Sequence, residues 1–255
     1  MTIRTELPKL VGVFILSAAI AGMETVAEAQ TIETGTHPSV SEESGKPYGG
    51  FGFFSVGGMI LAQQAMNDAF VAHGRPALSS TVLTFGAEGY FRFNRLILGA
   101  EGGGSLPRSA SSATHETSVS GGAGFFDVGY IVTSWENVAV FPMLGIGGGG
   151  MSYNLARTAP ASFDQVVDDP DRGATLSTGG FMGQLALGID YYMFGKRTSR
   201  NEVGGGVVGL RIGYATQVPR GNWSLFGAEV EGGPKVGFGG PFVRLVIGGG
   251  GMVVE

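Results

Sequence analysis

The chain has 255 residues, a formal charge of −5 at neutral pH, no cysteine and 47 glycines. Its mild acidity argues against nucleic acid as a partner, because phosphate binding calls for a basic face. The absence of cysteine excludes a disulfide framework, a zinc site built on thiolates and a lipid-modified amino-terminal cysteine. With 43% hydrophobic and 15% charged residues, the composition is also unlike that of a disordered, glycine-rich tract.

Residues 1–29 have the pattern of an export signal. Arg4 and Lys9 form a basic start, residues 10–23 form an apolar core, and a small-x-small cleavage site ends at Ala29. The apolar core is short for a helix that spans a membrane. We therefore expect a signal peptide cleaved after Ala29, which would change the formal charge from −5 to −4 by removing two bases and three acids.

Two regions follow the predicted signal. Residues 30–50 are polar and lack periodicity, which indicates an exported linker or arm. Residues 51–255 form the predicted β-domain, in which apolar and mixed positions alternate. In residues 82–93, for example, one series of alternate positions is wholly apolar and the other holds every charge, which is typical of a strand.

Eight such runs occur in the β-domain, and their connections alternate between long and short. The runs are 51–62, 81–93, 96–106, 117–132, 138–153, 177–194, 204–218 and 241–254. The long connections are 63–80, 107–116, 154–176 and 219–240, and the short ones are 94–95, 133–137 and 195–203. Short periplasmic turns and long external loops are typical of an up-and-down barrel in the outer membrane. The segment 224–233 also alternates, so the expected number of strands is eight to ten.

Aromatic residues cluster beside the short turns. Amphipathic rings prefer the boundary between membrane and water, so these residues predict a girdle at the periplasmic rim. The predicted girdle consists of Phe91, Phe93, Tyr130, Trp135, Phe141, Tyr191, Tyr192 and Phe194.

The eight runs contain few charges and no lysine, whereas a barrel exterior in water would carry many more. The charged residues are Glu88, Arg92, Glu101, Asp127, Asp190, Arg211 and Arg244. We expect them inside a narrow, polar lumen as paired charges, because an unpaired charge there costs several kcal/mol. A two-residue turn at Asn94 and Arg95 would place Glu88 directly opposite Glu101.

With this signal, strand number, loop rhythm and aromatic rim, residues 51–255 resemble the small, eight-stranded outer-membrane β-barrel proteins. The resemblance implies an all-β, antiparallel, up-and-down transmembrane barrel in the bacterial outer membrane, with lipid around it. It implies a structural or interaction role, with a protein partner of the envelope or exterior contacting loops 63–80 and 154–176. No residue pattern indicates a cofactor or a metal. The string Ile-Gly-Gly-Gly-Gly-Met occurs at both 146–151 and 247–252, and the pattern gives no reason for it.

Two glycine patterns match the dinucleotide-binding fingerprint, at 145–150 and 204–209. That fingerprint needs a turn from a strand into a helix, and no helical period follows either pattern, so we interpret both as chance matches. Helical spacing occurs only in 58–74, where Met59, Met66 and Phe70 share one face. A short loop helix over the rim of the barrel is the favoured interpretation, and an entrance for an apolar ligand is the alternative.

Two groups of polar residues in the long loops could carry chemistry. Asp164, Asp168, Asp169 and Asp171 lack the spacing of a calcium loop, so a solvated acidic loop is expected. Ser111, Ser112, His73, His115 and Glu116 are residue types that a hydrolase would need.

Three classes of function therefore stay open. A structural or interaction barrel of the outer membrane is favoured, and no catalytic residue is assigned. The alternatives are a soluble exported barrel or sandwich that binds an apolar ligand, and an outer-membrane enzyme that modifies lipid.

Overall fold

The computed structural model describes residues 47–158, 162–168, 173–197 and 202–253. Residues 1–29 and most of the arm at 30–50 lie outside this part, so the signal and its cleavage stay predictions. The described strands are β1 (Tyr48–Ile60), β2 (Thr81–Phe93), β3 (Leu96–Ser105), β4 (Arg108–Ser111), β5 (His115–Tyr130), β6 (Thr133–Trp135), β7 (Val138–Arg157), β8 (Gly173–Arg197), β9 (Glu202–Val218), β10 (Trp223–Leu225), β11 (Ala228–Val230) and β12 (Gly240–Val253), and the helices are α1 (Gln64–Ala72) and α2 (Phe163–Asp168).

The strands close into an antiparallel barrel of eight units, which we call staves. The staves are β1, β2, β3 with β4, β5 with β6, β7, β8, β9 and β12. Each stave pairs with its sequence neighbours, and β1 pairs with both β2 and β12, which closes the sheet. The strand β3 continues into β4 along β5, and β5 continues into β6 along β7, each with a one-residue shift of register. The expected up-and-down barrel is therefore confirmed, with eight staves rather than nine or ten.

Alternation along the strands separates the two faces of the barrel. The pair Glu88 and Glu101 are direct cross-strand partners, as the two-residue turn after Phe93 predicts. Successive side chains of a strand point to opposite faces, and a barrel of eight strands leaves an interior just wide enough for side chains to fill. One face of each stave is consequently packed inside, and the other lies on the surface.

The outer surface is apolar. Phe54, Leu83, Phe126, Leu144 and Leu185 are each more than half exposed, and many other large apolar side chains around the barrel share this orientation. A continuous apolar surface of this kind is foreign to a water-soluble monomer but matches the lipid-facing band of a transmembrane barrel. The sandwich alternative is excluded by the closure of the sheet.

The two ends of the barrel differ. We call the end at Asn94 and Glu136 the turn end, where two-residue turns with positive φ at these residues join the strands. We call the other the loop end, and it carries the segments 61–80, 106–114, 158–172 and 219–239. Long and short connections therefore fall on opposite ends, as the sequence predicts.

Two elements stand above the staves at the loop end. Helix α1 occupies the middle of the first long loop, inside the range where helical spacing predicted it. The strands β10 and β11 form a hairpin that continues the sheet beside β8, with Phe226 and Gly227 at its turn and φ values of +48° and +88°. No helix in the described ranges is long and apolar enough to cross a membrane.

Candidate functional site

Arg211 is the centre of the barrel interior. Its side chain is fully buried, and its Nη1 donates to Asp190 Oδ1 at 2.5 Å while Nη2 donates to Glu88 Oε1 at 2.6 Å. The guanidinium carbon also lies 5.1 Å from the ring centroid of Phe141 and 5.8 Å from that of Phe53. Two charge-assisted bonds and two aromatic faces thus compensate the cation for its loss of water.

A second cluster lies around Arg244. Its Nη1 donates to Glu101 Oε1 at 2.9 Å, and its guanidinium carbon is 4.3 Å from the ring centroid of Phe242. Gln184 connects this arginine to Asp127, because its Nε2 donates to Asp127 Oδ1 at 2.7 Å and its Oε1 accepts from Arg244 at 3.4 Å. The partner of Asp127 is therefore an amide and not an arginine.

Two tyrosines complete the network on the turn-end side. Tyr90 donates its hydroxyl to Asp190 Oδ2 at 2.6 Å, and its oxygen lies 3.0 Å from the hydroxyl of Tyr192. The ring of Phe51 packs against both tyrosines, at centroid distances of 5.3 and 5.4 Å. The interior at this level is filled by aromatic rings and hydrogen-bonded polar groups.

Arg92 has a different environment from the other predicted interior charges. It is half-buried, and its Nε donates to the backbone oxygen of Asn94 at 2.8 Å, which places it at the turn end. The three ion pairs of the described residues all involve Arg211 or Arg244. The structure thus groups four carboxylates with Arg211 and Arg244, whereas Arg92 bonds to the turn and to the Tyr192 hydroxyl.

The residues of the predicted girdle do not all face the same way. Phe91, Phe93, Tyr130, Trp135 and Tyr191 are exposed on the outer surface near the turn end. The assignment is wrong for Phe141 and Tyr192, which are almost completely buried in the interior. Adjacent residues of a strand face opposite sides, so Tyr191 and Tyr192 cannot both face lipid. The side chain of Phe194 lies outside the described part of the chain.

The interior leaves little free space. A cavity of about 40 Å³ lies between Thr84, Glu101, Gln184 and Arg244, beneath the rings of Phe238 and Phe242. A water molecule takes about 30 Å³ in the liquid, so the cavity holds roughly one. Phe238 belongs to the last long loop, and its backbone N–H donates to Gln217 Oε1 at 3.0 Å, which fixes the loop inside the barrel.

Helix α1 covers the loop end. Its residues Met66 and Phe70 form its buried face, and Phe70 meets the ring of Tyr153 edge-on at 5.4 Å. The Tyr153 hydroxyl donates to Gln63 Oε1 at 2.9 Å, just before the helix starts. A second cavity, of about 280 Å³, lies between α1 and the β10–β11 hairpin.

Within the described ranges, the weaker sequence patterns do not assemble into sites. Both glycine fingerprints lie within strands, in β7 and β9, so neither presents a helix start to a phosphate. Ser112 Oγ bonds to the backbone of His115, and the His115 ring lies 2.9 Å from the Thr114 hydroxyl. Asp169 and Asp171 of the acidic loop lie outside the described residues. Among the residues that the structure describes, no group of three metal-ligating side chains occurs.

No protein-family model and no curated protein matches the sequence. Solved structures similar to the chain include Ail, the attachment invasion locus protein of Yersinia pestis, with 12% identity, 82% of this chain and 99% of that chain covered and a TM-score of 0.36. They also include the Escherichia coli outer membrane protease OmpT, with 10% identity, coverage of 86% and 99% and a TM-score of 0.35. Neisserial surface protein A is similar at 11% identity, with coverage of 82% and 97% and a TM-score of 0.31.

The class of the protein follows from its own geometry. The sheet is closed, the outer face is apolar around the barrel, and the ion pairs of Arg211 and Arg244 lie inside. This combination of an apolar exterior and a polar interior is the arrangement of outer-membrane barrels. The chain has the fold of the eight-stranded outer-membrane β-barrels.

Proposed function

We propose that this protein is a non-conducting outer-membrane barrel that acts through its loop end as an interaction surface outside the cell. The observation that carries the proposal is the filled interior, in which Arg211 and its partners close the turn-end half and Phe238 closes the other. A solute would have to displace buried ion pairs to pass through, at a cost of several kcal/mol.

The loop end offers the surface for contact. The segment 63–80 contains helix α1, and the described parts of 154–176 contain the ends of β7 and β8 with α2 between them in sequence. Phe163 in α2 and Phe226 at the hairpin turn are each more than 80% exposed. Exposed aromatic residues are common anchors of protein interfaces, so an envelope or extracellular protein is the proposed partner. The proposal includes no catalytic step.

Bilayer recordings test whether the interior is closed. Purified barrel inserted into a planar bilayer should give no stepwise conductance, whereas a general porin added in the same way gives regular steps. Stable conductance steps from this protein, proportional to the amount inserted, would contradict the filled interior as the state in the membrane.

Labelling of introduced cysteines tests which end faces outward, since the chain has no cysteine of its own. A membrane-impermeant maleimide should label Phe226→Cys on intact cells. It should label Arg95→Cys, in the turn after β2, only once the outer membrane is permeabilised. The reverse pattern would place the loop end in the periplasm and overturn the proposed role.

A further inference from the structure

A second cavity lies between helix α1 and the β10–β11 hairpin, apart from the ion pairs of the barrel interior. It has a volume of about 280 Å³ and opens at the loop end. Small-molecule sites occupy about 300 Å³ and more, so the cavity is at the lower end of that range. We propose that it binds a small anionic amphiphile, an alkyl carboxylate of about eight to twelve carbons.

The apolar walls of the cavity favour a ligand with an apolar chain. Phe70 and Met66 from α1 form one side, and Trp223 from β10 forms the other. The Trp223 Nε1 is already bonded to Pro234 O at 2.8 Å, so the indole offers only its apolar surface. Leu155 and Leu176 from the ends of β7 and β8 complete a lining that water solvates poorly.

Packing and hydrogen bonds around Trp223 fix the shape of the cavity. Gly233 lies so close over the indole of Trp223 that a Cβ there would collide with the ring. Trp223 is held from behind by Tyr153, at a centroid distance of 5.9 Å, and Tyr153 is held by Gln63. The aromatic wall is therefore fixed before a ligand arrives, which lowers the cost of binding.

A cation at the edge of the cavity determines which head group the ligand should carry. Arg75 lines the cavity, and its Nη1 is buried without a hydrogen-bond partner among the described residues. His73 lines the same edge, where its Nδ1–H donates to Ala69 O at 2.8 Å. The described residues that line the cavity include no carboxylate, so an anionic head group would complete the bonding of Arg75.

The length of the ligand follows from the volume. At about 30 Å³ for each water molecule, the cavity holds roughly nine, and a methylene group takes a similar space. A chain of about ten carbons thus fills it. That the ligand arrives from outside rests on the proposed orientation of the loop end, whereas binding itself does not.

The two tryptophans of the chain provide the test, because Trp223 lines the cavity and Trp135 lies at the turn end. The probe is decanoate with a bromine on its last carbon, which quenches an indole that it touches. In purified Trp135→Phe protein, the probe should quench Trp223 fluorescence in a saturable way. The matched control Trp223→Phe reports on Trp135 and should show only weak, linear quenching.

Two further variants in the Trp135→Phe background locate the site. Ala69→Phe fills the cavity and should abolish the saturable quenching. Arg75→Gln should weaken binding of the carboxylate about tenfold but leave binding of the matching bromodecanol unchanged, because only the charged head uses the arginine. Heat-modifiable gel mobility shows that each variant is folded.

Parallel quenching of both tryptophans would mean partition into detergent only, and would overturn the proposal. So would saturable quenching that survives Ala69→Phe, or an equal effect of Arg75→Gln on acid and alcohol. These measurements use detergent-solubilised protein, so their failure leaves the non-conducting barrel standing. Conductance in the bilayer would contradict the proposed function without affecting the cavity.

Discussion

Arg211 receives its two carboxylates from different directions across the barrel. Asp190 lies on the adjacent stave β8, whereas Glu88 lies on β2, which is separated from β9 by β12 and β1. The ion pair with Glu88 therefore crosses the lumen and links two distant staves. A buried pair of this kind is a weak source of net stability, but its disruption is expensive because a charge is left without a partner.

Substitution of Arg211 should accordingly be among the most harmful single changes. Arg211→Leu leaves Glu88 and Asp190 buried without their cation and should lower the free energy of unfolding by about 3–5 kcal/mol. Urea unfolding from lipid vesicles, followed by gel mobility, measures it. Arg244→Leu should cost less, since the Arg244 side chain is 15% exposed and pairs with one carboxylate.

A rescue experiment separates charge from packing in this prediction. If the stranded carboxylates cause the loss, adding Glu88→Gln and Asp190→Asn to Arg211→Leu should restore much of the stability. A triple variant no more stable than Arg211→Leu alone would show that the shape of the arginine, between Phe53 and Phe141, is what matters.

Gly209 is required because Asp190 occupies the space beside it. A Cβ at Gly209 would collide with Asp190 Oδ1, which is fixed by Arg211. Gly209→Ala should therefore destabilise the barrel by about 1–3 kcal/mol through overpacking. The matched control is Gly52→Ala on β1, where no atom lies within 4 Å of the new methyl group. Equal unfolding midpoints for the two variants would contradict the close approach.

The sequence alone could not predict the partners of the charged residues. Period-two alternation identifies which residues share a face, and the two-residue turn at Asn94 and Arg95 correctly places Glu88 opposite Glu101. It does not give the stagger between distant staves, so the pairing of Arg211 with Glu88 could not be derived. Gln184 and Tyr90 stand at inward positions of their strands, but neutral residues there gave no signal of a role. Applying the same parity to Tyr192 would have placed it inside.

At the scale of elements, helix α1 depends on a residue just outside it. Gln63 donates from Nε2 to Ser79 O at 3.0 Å and accepts from the Tyr153 hydroxyl, and it is buried. It thereby ties the start of α1 to both the following loop segment and β7. The helix is short, and isolated helices of this length are unstable in water, so such anchoring has to replace intrinsic stability.

Removal of this anchor should loosen α1 without unfolding the barrel. Gln63→Ala leaves the Tyr153 hydroxyl and the Ser79 backbone oxygen without this partner, and should speed amide hydrogen exchange in residues 64–73 about tenfold or more. The neighbouring Gln64→Ala is the control, because Gln64 bonds only to the exposed Asp68 among the described residues. Similar exchange in both variants would mean that Gln63 does not hold the helix.

The strands were more predictable than the loops. Each of the eight predicted runs corresponds to a stave, because burial of one face imposes the period of two. Their ends were less accurate at the loop end: β7 continues to Arg157 and β8 begins at Gly173, since paired strands can project beyond the membrane. The insertion of Phe238 into the barrel left no periodic signal, as it is a tertiary contact of an irregular segment.

At the scale of the whole molecule, the barrel is an inverted form of a soluble protein. Its ion pairs lie in the interior among buried aromatic rings, and a further set of large apolar side chains faces outward around the barrel. In water such a surface would aggregate, whereas in lipid it is the solvated one. Because lipid surrounds the outer surface, few charged residues are needed there, which explains the low content of charged residues in the sequence.

The last prediction tests this inversion on two neighbouring residues of β9. Leu210 lies on the outward face beside Leu245 of β12, whereas Arg211 is completely buried. Leu210→Arg would place a charge in lipid, which costs about 2–4 kcal/mol near the middle of the bilayer, and should reduce the folded fraction in vesicles. Glu202→Arg at the start of the same strand is the control, because charges near the interface cost about 0–1 kcal/mol.

In a soluble barrel the outcome would be the opposite, since an arginine at position 210 would simply be solvated. Normal insertion and stability of Leu210→Arg would therefore show that this face of the barrel does not meet the hydrocarbon core.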